Sequence, residues 1–156
     1  MENRFFFIKK AVGKGESLSS LERQLCDIQG RLFELALKKG LNITDFAEKF
    51  MNSETAAYFD LPYDRLQWAG EEYILENLQD EVSIKSSEKP ENIREEVYWT
   101  GYLYRFWHFY TGESSKEIYS QAPIELMISC YLGFHTMDPE MAVDDLKEIY
   151  RQKQNL

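Results

Sequence analysis

The sequence predicts an all-α fold: a compact helical bundle, built as two related four-helix modules packed together and preceded by an N-terminal apolar arm. Three observations predict it. Apolar residues recur at three- and four-residue steps through most of the chain. Ser, Asn or Asp precedes these stretches, and Gly or a Pro-containing segment follows several of them. No segment keeps the period-two alternation of a half-buried strand.

Residues 1–16 read as an arm. Phe5-Phe6-Phe7-Ile8 is a short apolar hook, and Gly13 and Gly15 break any structure after it. The hook either packs on the protein's own core or docks into a partner. Ser19 and Glu22 have the spacing of a capping box. Leu18, Leu21, Leu25, Ile28, Leu32 and Leu35 then form a helical stripe that ends near Lys38-Lys39, with Gly40 as a stop. Asn42 or Thr44 can cap a short helix carrying Phe46, Ala47 and Phe50, and Ser53 can cap another through Phe59. A loop around Pro62 follows. The closing helix of the first module spans about Ala69 to Asp80, with Tyr73, Ile74 and Leu78 inward.

Residues 83–91, SIKSSEKPE, are polar and read as a linker between a first module over 17–82 and a second over 92–156. Asn92 and Glu95 are placed to open a long helix to about Tyr110, closed by Gly112. Ser114 and Glu117 cap a short one. Pro123 suits the first turn of the next, with Leu126, Met127 and Tyr131 on its face. Asp138-Pro139 opens the last helix, which carries Met141, Ala142, Leu146 and Ile149.

The two modules share one order of events. Gly30-x-Leu32 corresponds to Gly101-x-Leu103 at an offset of 71. Gly40 matches Gly112, Phe46 matches Ile118 and Phe59 matches Tyr131 at 72. The offset falls to 68 for the closing helices, the difference lying in the loop at 60–65, where length changes cost little. Units of this size are marginal alone, so the halves are expected to pack together in pseudo-twofold fashion.

Charge narrows the function. The chain carries 27 Asp and Glu against 18 Lys and Arg, a net charge of −9. Nucleic-acid backbones and anionic membranes both require the opposite sign, so neither is an expected partner. No run approaches the length of a membrane span, and the N-terminus lacks a signal-peptide pattern, which makes the cytoplasm the default location.

Catalytic patterns are missing. Cys26 and Cys130 form no CxxC pair and lie in apolar stretches. His108 and His135 are the only histidines and have no metal-ligand spacing. Gly13-Lys14-Gly15 has no phosphate-loop spacing. No metal and no cofactor is expected. The most informative stretch is Tyr98–Tyr110, in which eight of 13 residues are Phe, Trp or Tyr. A helix aromatic all round is either central in the core or half exposed. In the second case Tyr98, Trp99 and Tyr102, flanked by Arg105, suit a protein-binding hot spot, together with Phe5, Phe6 and Phe7 of the arm.

One further pattern bears on function. Residues 41–57, with Leu41-Asn42-Ile43-Thr44, Phe46-Ala47, Phe50, Ser53 and Thr55-Ala56, are followed by Glu71-Glu72-Tyr73-Ile74-Leu75-Glu76 and Leu78. This resembles a small bacterial helical module encoded beside predicted ADP-ribosyltransferase toxins. The stretch Tyr98–Tyr119 is similar to other proteins of such loci. The likeness covers about residues 17–150 and departs at 114–131, where Ala122-Pro123 replaces the equivalent of Phe50-Met51. It implies a protein-binding, antitoxin-like partner of a toxin enzyme and brings no catalytic residues with it. It leaves open whether the second module keeps the role of the first, and whether the protein is a homodimer. An acidic inhibitor or DNA mimic acting on a nucleic-acid enzyme is the alternative that the charge suggests.

Overall fold

The computed structural model describes residues 18–89 and 91–156. The arm, with Phe5, Phe6 and Phe7, lies outside them. Among the described residues the helices are α1 (Ser20–Lys38), α2 (Ile43–Met51), α3 (Glu54–Asp60), α4 (Glu71–Glu81), α5 (Arg94–Thr111), α6 (Ser115–Gln121), α7 (Ile124–Phe134) and α8 (Pro139–Gln154). A single 3-10 turn, Arg65–Trp68, sits in the expected loop between α3 and α4. The described residues contain no strand, only one isolated bridge between Leu41 and Ser86. None of their helices is long and apolar enough to cross a membrane.

Side-chain caps set four of the eight described α-helix starts. Ser19 with Glu22, and Ser114 with Glu117, close reciprocal capping boxes on α1 and α6. The side chains of Asn42 and Ser53 accept the backbone N–H of Asp45 and Ala56 at the starts of α2 and α3. Each such cap is worth about 1 kcal/mol. Gly40 and Gly112 end their helices in the left-handed region at φ +81° and +80°, which glycine adopts without strain. The box expected at Asn92 and Glu95 does not form. Helix α5 starts after Ile93 with no side-chain cap, and Glu95 instead accepts the Tyr131 hydroxyl at 3.4 Å.

Helices α1 and α5 form the centre and run antiparallel, with Gln29 bonded to Arg105 and Glu34 to Arg94. Two glycines allow the approach. A Cβ on Gly101 would stand 2.6 Å from the Gln29 carbonyl oxygen and 2.8 Å from the Phe33 ring. One on Gly30 would stand 2.6 Å from the Tyr98 ring. The buried side of α1 is therefore wider than its leucine stripe, adding Cys26, Gln29, Gly30, Phe33 and Ala36. The rings of Phe33, Phe46, Phe50 and Tyr104 pack together on that side. Tyr73 was expected inward but is 46% exposed, and Met141 on the last helix is 54% exposed. Leu75 and Val143 hold the buried positions beside them.

Between the halves, α1 packs on α5, α2 on α6, α2 on α7 and α3 on α6. Exchanging the halves maps this set of pairs onto itself. Within the halves the match is partial: α1 on α2 and α1 on α4 have counterparts in α5 on α6 and α5 on α8, but α2 on α3, α5 on α7 and α6 on α8 have none of similar extent. Helix α4 closes on both α1 and α3, whereas α8 packs on α5 and α6 and stands away from α7. The expected linker is tied down. Asn42 donates its N–H to Lys85, Ser87 donates to Gly40, and Lys85 donates to the Asp45 carboxylate, which holds 85–87 against the α1–α2 turn.

Candidate functional site

Where α8 stands away from α7, a groove of about 610 Å³ opens on α5. Tyr98 and Trp99, with Tyr102 one helical turn further along, form its floor on the partly exposed side of α5. Tyr131 and His135 of the α7 end form one wall, with Met137, Pro139 and Ala142 opposite. Glu34, Arg94 and Glu95 stand at the remaining edge. Thus the structure brings together three of the residues expected from the aromatic stretch.

The rings are held in defined relations. Trp99 meets Tyr131 edge-on, with centroids 5.8 Å apart and planes at 77°. Tyr131 stacks on His135 at 4.2 Å, and the His135 Nδ1 lies 2.7 Å from the Tyr131 carbonyl oxygen. Tyr98 leans on Tyr102 and donates its hydroxyl to Asp27, whose other oxygen is paired with Arg31. Aromatic pairs of this kind add about 1 kcal/mol each beyond the area they cover.

The phenols remain neutral. Burial, reinforced by Asp27, raises the Tyr98 hydroxyl well above its ordinary pKa. Burial with the Cys26 side chain nearby raises Tyr102, and burial with Glu95 raises Tyr131. Formal charge at the groove therefore comes from Glu34 and Glu95 against Arg94, whose guanidinium bonds Glu34 at 2.8 Å from a 77% exposed position.

Arg105 does not belong to this surface. Its side chain is 1% exposed, further along α5 and buried among Gln29, Asp60 and Ser115, none of which lines the groove. Its guanidinium donates to Asp60 at 2.6 Å, to Gln29 at 2.9 Å and to Ser115 at 3.3 Å, and lies 4.5 Å from the centre of the Phe59 ring. Burial by itself would raise the Asp60 carboxyl, but Arg105, His108 and Ser115 together hold it below the ordinary carboxylate range. An isolated charge cannot persist at such depth, so arginine here implies its carboxylate. His108 lies in the same cluster, its ring nitrogens 2.7 Å and 3.1 Å from the carbonyl oxygens of Glu113 and Asp60. Burial holds its pKa below the usual histidine value against the upward pull of Asp60.

Other reactive groups are quiet. Burial pushes the thiols of Cys26 and Cys130 up, which leaves them protonated and poorly nucleophilic. Among the described residues no group of three or more His, Cys, Asp or Glu could hold a metal ion. Every buried side-chain nitrogen or oxygen among them has a hydrogen-bond partner.

Tyr131, Glu34, Glu95 and Met137 were not singled out as site residues from sequence, and His135 was weighed there as one of two histidines without metal-ligand spacing. Tyr131 had a signal, because it is the counterpart of Phe59 in the half-repeat. The others come from separate helices and carry none. His135 caps the C-terminus of α7, three residues before the Asp138 cap of α8. No family model, no curated protein and no solved structure matches the chain.

Proposed function

We propose that this chain is a non-catalytic protein-binding module, an antitoxin-like partner that neutralises or regulates a toxin enzyme in the bacterial cytoplasm. The observation that carries the reading is the groove on α5. Tyr98, Trp99, Tyr102 and Tyr131 are only partly covered there, in a concavity edged by carboxylates. Aromatic side chains presented in this way are the usual anchors of protein interfaces. The thiols support a non-catalytic role because burial keeps them protonated. So does the Asp60, His108 and Ser115 cluster, whose polar groups are buried and engaged with one another.

The acidic-inhibitor alternative has less support. A DNA mimic needs carboxylates of one sign spread over a face. Beside the aromatic groove, a second depression alternates Glu34, Glu71, Glu72 and Glu91 with Arg31, Lys38 and Arg94.

Co-purification with the product of the adjacent gene, followed by size-exclusion chromatography, tests the proposal. A stable complex is expected, weakened about tenfold or more by Trp99→Ala with Tyr102→Ala. Separate elution of the two wild-type proteins, with the adjacent product's toxicity unchanged by co-expression, would refute it.

A further inference from the structure

We propose that the groove receives an arginine side chain of a protein partner, its guanidinium stacked at the corner of Trp99 and Tyr131 and paired with Glu34 and Glu95. This deepens the protein-binding reading and rests on it.

Three observations point to a guanidinium. The first is shape. Trp99 and Tyr131 stand nearly perpendicular, at 77°, with His135 stacked on one face of Tyr131, so the corner between Trp99 and Tyr131 is where a planar cation meets aromatic surface. Met137 and Pro139, half-buried at the groove, supply apolar surface for the methylene stem. A planar guanidinium stacks on such rings and forks to carboxylates, which a compact ammonium cannot do.

The second is charge. Residues 18–156 carry 25 Asp and Glu against 14 Lys and Arg, so a basic segment is drawn to this body at long range. At the groove, Arg94 holds Glu34 from a solvent-exposed position. An incoming guanidinium displaces it into water at little cost.

The third is internal. This chain already contains an occupied site of the same composition: Arg105 stacked on Phe59 and bonded to Asp60. In the half-repeat Phe59 corresponds to Tyr131 at an offset of 72, and Arg105 corresponds to Glu34 at 71. In one half, the central helix covers the ring with its own guanidinium. In the other half, the same position delivers a carboxylate, and the ring lines open space. The second site keeps a ring in the equivalent place and has a carboxylate where the first has its guanidinium, and the cation paired with that carboxylate is the exposed, displaceable Arg94.

The three tryptophans report separately on this. Trp99 lines the groove, Trp107 is fully buried, and Trp68 is 71% exposed elsewhere. The full chain, labelled with nitrogen-15, is titrated with acetyl-Gly-Arg-Gly-amide and, in parallel, with the citrulline peptide, which keeps the shape and removes the charge. The Trp99 indole resonance is expected to move saturably with the arginine peptide while Trp68 and Trp107 stay in place. Tyr131→Leu should weaken this response about tenfold with the Trp107 resonance unchanged, which shows that the fold is intact. An unmoved Trp99, an equal response to the citrulline peptide, or Trp68 moving in step with Trp99 would each overturn the proposal. If the complex with the adjacent gene product forms while Trp99 ignores the arginine peptide, the cation site is wrong and the protein-binding reading stands.

Discussion

Two aromatic rings in equivalent places, Phe59 and Tyr131, have opposite surroundings. Phe59 is 1% exposed and sealed beneath Arg105, Asp60 and Ser115. Tyr131 lines an open groove with Trp99 and His135. The difference traces to neighbouring helices. In the first half α4 closes on α3, and in the second α8 leaves α7 uncovered. The comparison teaches that an aromatic ring on this fold is sealed where the polar groups around it are buried and mutually satisfied, and lines an open groove where neighbouring helices leave it uncovered.

The largest effect should come from breaking the sealed site. Asp60→Ala strands the Arg105 charge and removes the acceptor of the Ser115 N–H. It should cost about 3–5 kcal/mol in urea denaturation. Titration reaches part of the same loss. Both His108 and Asp60 have pKa values below their ordinary ones, so the unfolded chain binds protons that the folded chain refuses. Stability should therefore fall as the pH drops below the usual histidine value of 6.5, and fall further through the carboxylate range. His108→Gln should remove the first part of that fall in urea midpoints measured across pH. A pH-independent difference between His108→Gln and wild type would contradict it.

Next in size is the α1–α5 contact. Gly101→Ala places a methyl against the Gln29 backbone oxygen, which cannot turn aside. About 1–3 kcal/mol of destabilisation is expected in chemical melts, even after alanine's better helix propensity. Gly30→Ala meets chiefly the partly exposed Tyr98 ring and should cost less.

The groove should be the most tolerant region. Tyr131→Leu removes the contacts to Trp99 and His135 and should cost about 1 kcal/mol, read as a shift in melting temperature. Smallest of all, Arg94→Ala should leave the melting temperature unchanged, because its ion pair with Glu34 is exposed. A large loss from either substitution would mean that the groove is part of the core, and the contrast with Phe59 would collapse.

How far sequence reached follows from the range of each interaction. The Ser19 and Ser114 capping boxes and the Gly40 and Gly112 stops involve residues a few positions apart, so they are legible directly. The Asn92 box failed because Glu95 found a partner 36 residues away in Tyr131. Arg105 was misplaced for the same reason. On an aromatic helix a lone cation reads as exposed, and its carboxylate lies 45 residues earlier in the chain. Tyr98, Trp99 and Tyr102 were legible as candidates by composition alone, without the walls that make them a groove.

Sequence alone carries the helical character of this chain and the start and end of most of its helices, because caps, glycine stops and apolar spacing act over a single turn. Only the tertiary structure decided which side of α5 faces water. A helix carrying aromatic rings all round has no inward side of its own, so the choice falls to the approach of α1 through Gly30 and Gly101 and to the gap between α7 and α8.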